Sequence, residues 1–257
     1  MSISQRMFEG LAGQTALVTG ASAGLGRRFA TVLAEAGVRV AVAARRREEL
    51  DQLVAEINGA GGTAIAVTLD LAATHSFAAV IDDIESRLGP VSILVNNAAR
   101  ADGLAALDLP LELIDDMIAL NVRSPFVLAC EVARRLIARK QPGRIVNISA
   151  IGAFSWQGKA NGFYSVTKAA VVRMTETLAT EWAEHNINVN AIAPGFFLSE
   201  MSADYFEKFG DAVLDQMPRR RVGAPEQLDS TLLYLVSPAS DMVTGTCIKV
   251  DDGWKPR

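Results

Sequence analysis

The chain has 257 residues, half of them hydrophobic, and 25 Lys and Arg against 29 Asp and Glu give a formal net charge of −4. That length supports one sizeable core in a single domain over 1–257, and the acidic balance excludes nucleic acid or an anionic membrane surface as the main partner. No run reaches the roughly 18 apolar residues of a membrane span, Met1–Gly10 has no apolar secretion-signal core, and Cys130 and Cys247 sit in no metal-ligand or CxxC spacing, so the expectation is a cytoplasmic protein with free thiols and no metal site.

In chain order, Thr15–Thr19 is predicted as a strand, followed by a glycine-rich turn and a helix over Gly24–Ala36. Strand Arg39–Ala43, helix Arg47–Asn58, a turn at Gly59–Gly62, strand Ala64–Thr68 and helix Ser76–Leu88 follow. Strand Ile93–Asn96 precedes one long helix over Leu111–Arg139. Then come strand Arg144–Ser149, helix Phe163–His185 and strand Asn188–Ala193. The least regular stretch, Phe196 to Arg221, follows the Pro194-Gly195 turn and is expected to form a substrate lid, with an ordinary packed helical insertion as the alternative. Helix Pro225–Val236 and strand Cys247–Val250 complete the pattern. Near-continuous apolar strands alternating with amphipathic helices predict an α/β fold: one doubly wound parallel sheet of about seven strands, of Rossmann type, with helices on both faces.

After the first strand, glycines at Gly20, Gly24 and Gly26 flank Ser22, Ala23 and Leu25. The spacing differs from GxGxxG but meets the same demand: a tight turn, backbone N–H groups close to phosphate, and a helix N-terminus facing negative charge. The second strand runs into Ala44-Arg45-Arg46-Arg47. NAD sites often place an acidic residue there for the ribose 2′-hydroxyl. Here Ala44 takes that place, and Arg45, with Arg46, offers a guanidinium to a 2′-phosphate. NADP is favoured over NAD; Arg47 is assigned to a solvated helix start.

Tyr164 and Lys168 are four residues apart and share a helix face. A phenol titrates near 10, and a neighbouring ammonium lowers that value by stabilising phenolate. Tyr164 can then act as general acid in reduction and general base in oxidation, with a small-molecule carbonyl or alcohol as substrate.

Thr19–Gly26, Asp70-Leu71, Asn96-Asn97-Ala98-Ala99, Asn121, Tyr164 with Lys168, Pro194-Gly195 and Val250-Asp251-Asp252-Gly253 occur in an order that resembles the short-chain dehydrogenase/reductase family along nearly the whole chain. Asn190–Phe197, followed by Ser199-Glu200-Met201, is similar to bacterial members related to 3-oxoacyl carrier-protein reductases and sugar-acid dehydrogenases. The resemblance implies that Asp70 and Leu71 lie near the adenine, that Asn97 and Ala98 border the ribose, and that Pro194, Phe197 and Ser199 line the nicotinamide side. It implies that Lys168 also bonds the nicotinamide ribose, that Asn121 helps hold a water in a proton relay, and that the chain forms a homo-oligomer, a tetramer, through its long helices.

The chain departs from the family at one position that matters. Where the family has Asn-Ile-Ser-Ser, with the second serine catalytic, this chain has Asn147-Ile148-Ser149-Ala150. Either Ser149 serves through a local shift, or another hydroxyl such as Ser155 substitutes, or the site is weakened, by evolution or by engineering. Strand alternation counts against simple replacement by Ser149. Ala99 and Asp252 stand where glycines are usual. Phe154, Trp156, Phe163, Phe196 and Phe197 suggest either an apolar pocket wall or core and subunit contacts; the first favours a ketone or 3-oxoacyl substrate over a sugar acid. The rival from another class is a nucleotide-binding regulator with little catalysis.

Overall fold

The computed structural model describes residues 10–155, 160–198 and 200–254. Its strands are β1 (Thr15–Thr19), β2 (Arg39–Ala44), β3 (Thr63–Thr68), β4 (Val91–Asn96), β5 (Gly143–Ile148), β6 (Ile187–Pro194) and β7 (Cys247–Val250). They form one sheet in the order β3-β2-β1-β4-β5-β6-β7, and every pairing is parallel. The helices are α1 (Gly24–Glu35), α2 (Arg47–Gly59), α3 (Phe77–Leu88), α4 (Leu111–Ile118), α5 (Ser124–Arg139), α6 (Gly162–Glu181), α7 (Glu200–Asp215) and α8 (Asp229–Val236).

Side-chain alternation along the strands divides the core in two. Ala16 and Val18 of β1 join Phe29 and Leu33 of α1, Leu50 of α2 and Leu232 of α8 on one face. Leu17 joins Phe77 and Ile81 of α3, Leu128 of α5 and Leu178 of α6 on the other. Both faces are covered, so β1 is buried at all five positions. This is why Ala16, Leu17 and Val18 are apolar in succession rather than alternating, while the buried Thr15 and Thr19 at the strand ends donate their hydroxyls to the Leu88 and Val95 carbonyls. The chain winds outward from β1 to β3, then returns so that β4 pairs with the other side of β1. That reversal opens a crevice at the carboxyl ends of β1 and β4, the usual ligand position in such sheets.

Two predicted elements need correction. The single helix over 111–139 is interrupted by a wide π turn at Ala119–Arg123 between α4 and α5. Pro125 supplies the reason: it has no N–H for the carbonyl four residues back, that of Asn121, and its ring would press on that group. Widening the turn relieves both problems. The stretch expected to be least regular is mostly helical, since α7 spans Glu200–Asp215. Val213 in the last turn of α7 is buried, as is Met217 in the turn that follows it.

Candidate active site

A cavity of about 1160 Å³ occupies the crevice and extends to α7. At its nucleotide end, Gly20 turns the chain with φ +67. A Cβ on Gly26 would lie 2.3 Å from the Gly20 carbonyl oxygen and 2.4 Å from Asn97 Nδ2. Only glycine lets α1 start against this loop and the end of β4. Thr19 ties the same parts together. Its hydroxyl accepts from the Asn97 and Ala98 amides at 3.0 and 3.3 Å, while Asn97 Nδ2 donates to the Thr19 carbonyl at 3.0 Å. Ala23, the residue before α1, is extended and gives no side-chain cap. With Ser22, Ala23, Gly24 and Leu25 lining the cavity, the start of α1 faces it as an anion cradle.

Arg45 and Arg46 line the rim of this end, as do Asp70 and Leu71. The Arg46 guanidinium donates to Ser22 Oγ at 3.2 and 3.1 Å, joining the end of β2 to the glycine loop. Asp70 accepts from the Ala72 amide at 3.0 Å and thereby shapes its own turn. The cradle, the two guanidiniums and the absence of an acidic side chain at Ala44 fit a phosphorylated dinucleotide.

At the other end, α6 presents Tyr164 and Lys168 on successive turns, with Lys168 Nζ 5.6 Å from the Tyr164 ring centroid. Lys168 is 3% exposed, and its ammonium donates to the Ile148 carbonyl at 2.7 Å. Burial pushes the Lys168 ammonium down to about 8 and the Tyr164 phenol up to about 12. The expected lowering of the phenol value is therefore reversed in the protein alone. Loss of water around phenolate outweighs the attraction of one lysine that itself holds its charge weakly. Tyr164 is fully protonated at neutral pH, the state of a proton donor.

The lysine value has a consequence for stability. Between pH 8 and 10 the unfolded chain, with lysine near its ordinary 10.5, binds the Lys168 proton while the folded chain releases it. Stability then rises with pH across this window, because the cost of burying the charge disappears. Denaturant titrations at pH 7.5 and 9.5 should show the wild type gaining stability relative to Lys168→Met; an equal response would mean that Lys168 titrates as an ordinary lysine.

Ser149 and Ala150 both border the cavity. Ser149 is 2% exposed, and its hydroxyl donates to the Lys168 carbonyl at 2.9 Å. Its proton is committed to holding the turn of α6 that carries the lysine. Asn121 is buried in the π turn and does not border the cavity. It reads the Arg100 backbone in both directions, its Oδ1 accepting from the amide and its Nδ2 donating to the carbonyl, each at 2.9 Å. The same Nδ2 donates to Thr167 Oγ1 at 3.0 Å.

Asn97, Ala98, Pro194 and Phe197 line the cavity, whereas Gly26 stands behind it. Ser199 and Trp156 lie outside the described residues. Of the other expected aromatic wall residues, Phe196 borders the cavity, but Phe154 and Phe163 do not. Phe154 is instead 42% exposed beneath the Lys249 ammonium, 4.5 Å from its ring centroid. Trp254 and Asp102 line the cavity without having been expected there, and Gln216 does so from within the 196–221 stretch. Trp254 and Gln216 come from far along the chain. The Asp102-Gly103 dipeptide signals a turn and nothing more. Among the described residues no cluster of His, Cys, Asp and Glu could hold a metal, and no helix is long and apolar enough to cross a membrane.

A doubly wound sheet with a glycine cradle at its switch point and a Tyr/Lys pair across the same cavity defines a nucleotide-dependent oxidoreductase. Comparison with known proteins agrees. The family model described as enoyl-(acyl carrier protein) reductase matches residues 20–255. The 2-dehydro-3-deoxy-D-gluconate 5-dehydrogenase of Dickeya dadantii is 36% identical over 96% of this chain and 97% of its own length. A 3-oxoacyl-[acyl-carrier-protein] reductase, FabG, of Staphylococcus epidermidis is 35% identical over 93% and 98%. Among solved structures, a short-chain type dehydrogenase/reductase from Mycobacterium marinum superposes with TM-score 0.93 at 34% identity over the full length of both chains. A gluconate 5-dehydrogenase from Burkholderia cenocepacia in complex with NADP and tartrate gives 0.92 at 31% identity, covering 98% of each. The chain belongs to the short-chain dehydrogenase/reductase family and is an oxidoreductase acting on CH–OH groups.

Proposed function

We propose that the chain interconverts a carbonyl compound and its secondary alcohol with NADP(H), and that Tyr164 moves the proton. The observation that carries this reading is the Tyr164–Lys168 pair on α6, in the same cavity as the glycine cradle. When bound, NADP(H) supplies or takes the hydride. Gly20, Ser22, Ala23, Gly24 and Leu25 would hold its pyrophosphate, with Gly26 permitting their close packing. Arg45 and Arg46 would take the 2′-phosphate, Asp70 and Leu71 the adenine side, Asn97 and Ala98 the ribose, and Pro194, Phe197 and Ser199 the nicotinamide side.

Tyr164 donates its phenolic proton to the substrate oxygen in reduction and recovers it in oxidation. Lys168 holds positive charge beside the phenol as phenolate develops and would bond the nicotinamide ribose. Asn121 keeps the loop at Arg100 fixed beside the relay. Ser149 belongs to the set through the Lys168 carbonyl that it holds, and Ala150 leaves the position facing the substrate oxygen without a hydroxyl.

The pocket beyond Tyr164 mixes apolar Ile151, Val213 and Trp254 with polar Arg100, Asn161 and Gln216. A ketone or 3-oxoacyl substrate suits the first group. The polar residues, together with the sugar-acid names of several relatives, favour a sugar acid as the second reading. The deciding experiment is turnover on a carbonyl panel that includes both classes, with NADPH and NADH in parallel. NADPH is expected to be preferred, and Arg45→Ala to weaken it by about 10- to 100-fold, the worth of a charge-assisted hydrogen bond, without affecting NADH. Equal use of both cofactors would overturn the arginine assignment.

A further inference from the structure

We infer that Asp102 is a positioning residue for proton transfer: its carboxylate caps α6 from a separate loop and fixes the turn that carries Tyr164. The inference rests on the proposed role of Tyr164.

An ordinary helix start is extended, and its own side chain satisfies one of the first N–H groups. The residue before α6 is Asn161, which is left-handed at φ 63 and caps nothing. Its side chain is turned away, with Oδ1 accepting from the Gly103 amide at 2.8 Å. The first intrahelical bond is from the Ser165 amide to the Asn161 carbonyl. The Tyr164 amide, one residue earlier, therefore needs a partner from elsewhere. It finds Asp102 Oδ2 at 3.0 Å, while Oδ1 of the same carboxylate accepts from the Leu104 amide at 3.3 Å.

The exchange is reciprocal, because the Asn161 amide donates to the Leu104 carbonyl at 3.2 Å. The loop that supplies Asp102 is itself anchored two residues earlier, where Asn121 grips both polar groups of Arg100. Asn121 also reaches Thr167, whose hydroxyl donates to the Tyr164 carbonyl at 2.8 Å. Both polar backbone groups of Tyr164 are thus held by side chains, Asp102 on its amide and Thr167 on its carbonyl. The two holders are joined through Asn121 and Arg100. A negative charge at a helix N-terminus adds a favourable interaction with the helix dipole.

The test compares Asp102→Ala, Asp102→Asn and Tyr164→Phe on the best substrate from the panel, with NADPH affinity measured by fluorescence and Tyr164 amide exchange by mass spectrometry or NMR. Asp102→Ala should lower kcat by about 10- to 100-fold, the scale of a misplaced reacting group, leave NADPH affinity unchanged and speed exchange at the Tyr164 amide. Asp102→Asn keeps an accepting oxygen and should restore most of the rate and the protection. Wild-type kcat in Asp102→Ala beside an inactive Tyr164→Phe would overturn the cap alone. Full turnover in Tyr164→Phe would overturn the proton-donor reading, and this inference with it. Loss of NADPH binding in Asp102→Ala, or an Asp102→Asn as impaired as the alanine variant with normal amide protection, would also refute a positioning role.

Discussion

Replacing Tyr164 by Phe is expected to lower kcat for carbonyl reduction by about 10²- to 10⁴-fold, the range for a lost general acid, while NADPH affinity stays near the wild-type value. The ring that packs beside Lys168 is retained and only the hydroxyl is lost, so binding and catalysis separate cleanly. The geometry supports a donor at neutral pH: burial holds the phenol near 12, and its proton is present throughout the range where the protein would be assayed. Steady-state kinetics with fluorescence titration of NADPH gives both quantities. A Tyr164→Phe variant with half the wild-type kcat would remove Tyr164 from the chemistry and leave the cavity as a binding site.

Ala150→Ser is expected to act in the opposite direction, raising kcat by about 10²–10³-fold, the usual worth of one hydrogen-bond donor to a developing oxyanion. Ala150 is extended, with φ −159 and ψ 156, and borders the cavity. The neighbouring Ser149 cannot easily take the task, because its proton is directed at the Lys168 carbonyl. If the wild type binds NADPH yet turns over only after this substitution, the chain works as a nucleotide-binding protein with residual catalysis. If the substitution changes nothing, another hydroxyl orients the substrate. Ser155, which also lines the cavity, is then the residue to replace.

The two motifs that meet at the cavity were legible because each depends on local spacing. Gly20, Gly24 and Gly26 are dictated by a turn and a close backbone approach, and glycine alone satisfies both. Tyr164 and Lys168 must share a helix face, and the interval of four ensures it. The strands were equally plain, since burial on both faces demands consecutive apolar residues such as Ala16, Leu17 and Val18 of β1. The π turn was missed although Pro125 marks it, because no glycine breaks the run between α4 and α5. The helix α7 was left open in the sequence, because an aromatic-rich stretch after Pro194-Gly195 suits both a lid and a packed helical insertion.

Asp102, Trp254 and the direction of the phenol shift were not legible at all. Asp102 meets Tyr164 across a sequence separation of 62, and no local pattern distinguishes it from any aspartate before a glycine. The phenol value depends on how much water the folded pocket removes, and desolvation is a property of everything packed around a group rather than of the residue four positions away.

By itself, then, the sequence determined the parallel sheet, the glycine cradle, the arginines after β2 and the Tyr/Lys pair, because periodicity and spacing act over a few residues. Tertiary structure alone decided the orientation of Ser149, the place of Asn121 behind the cavity and the capping of α6 from a distant loop. Each of these depends on which backbone groups the fold leaves without partners, and that is settled only when separate segments meet.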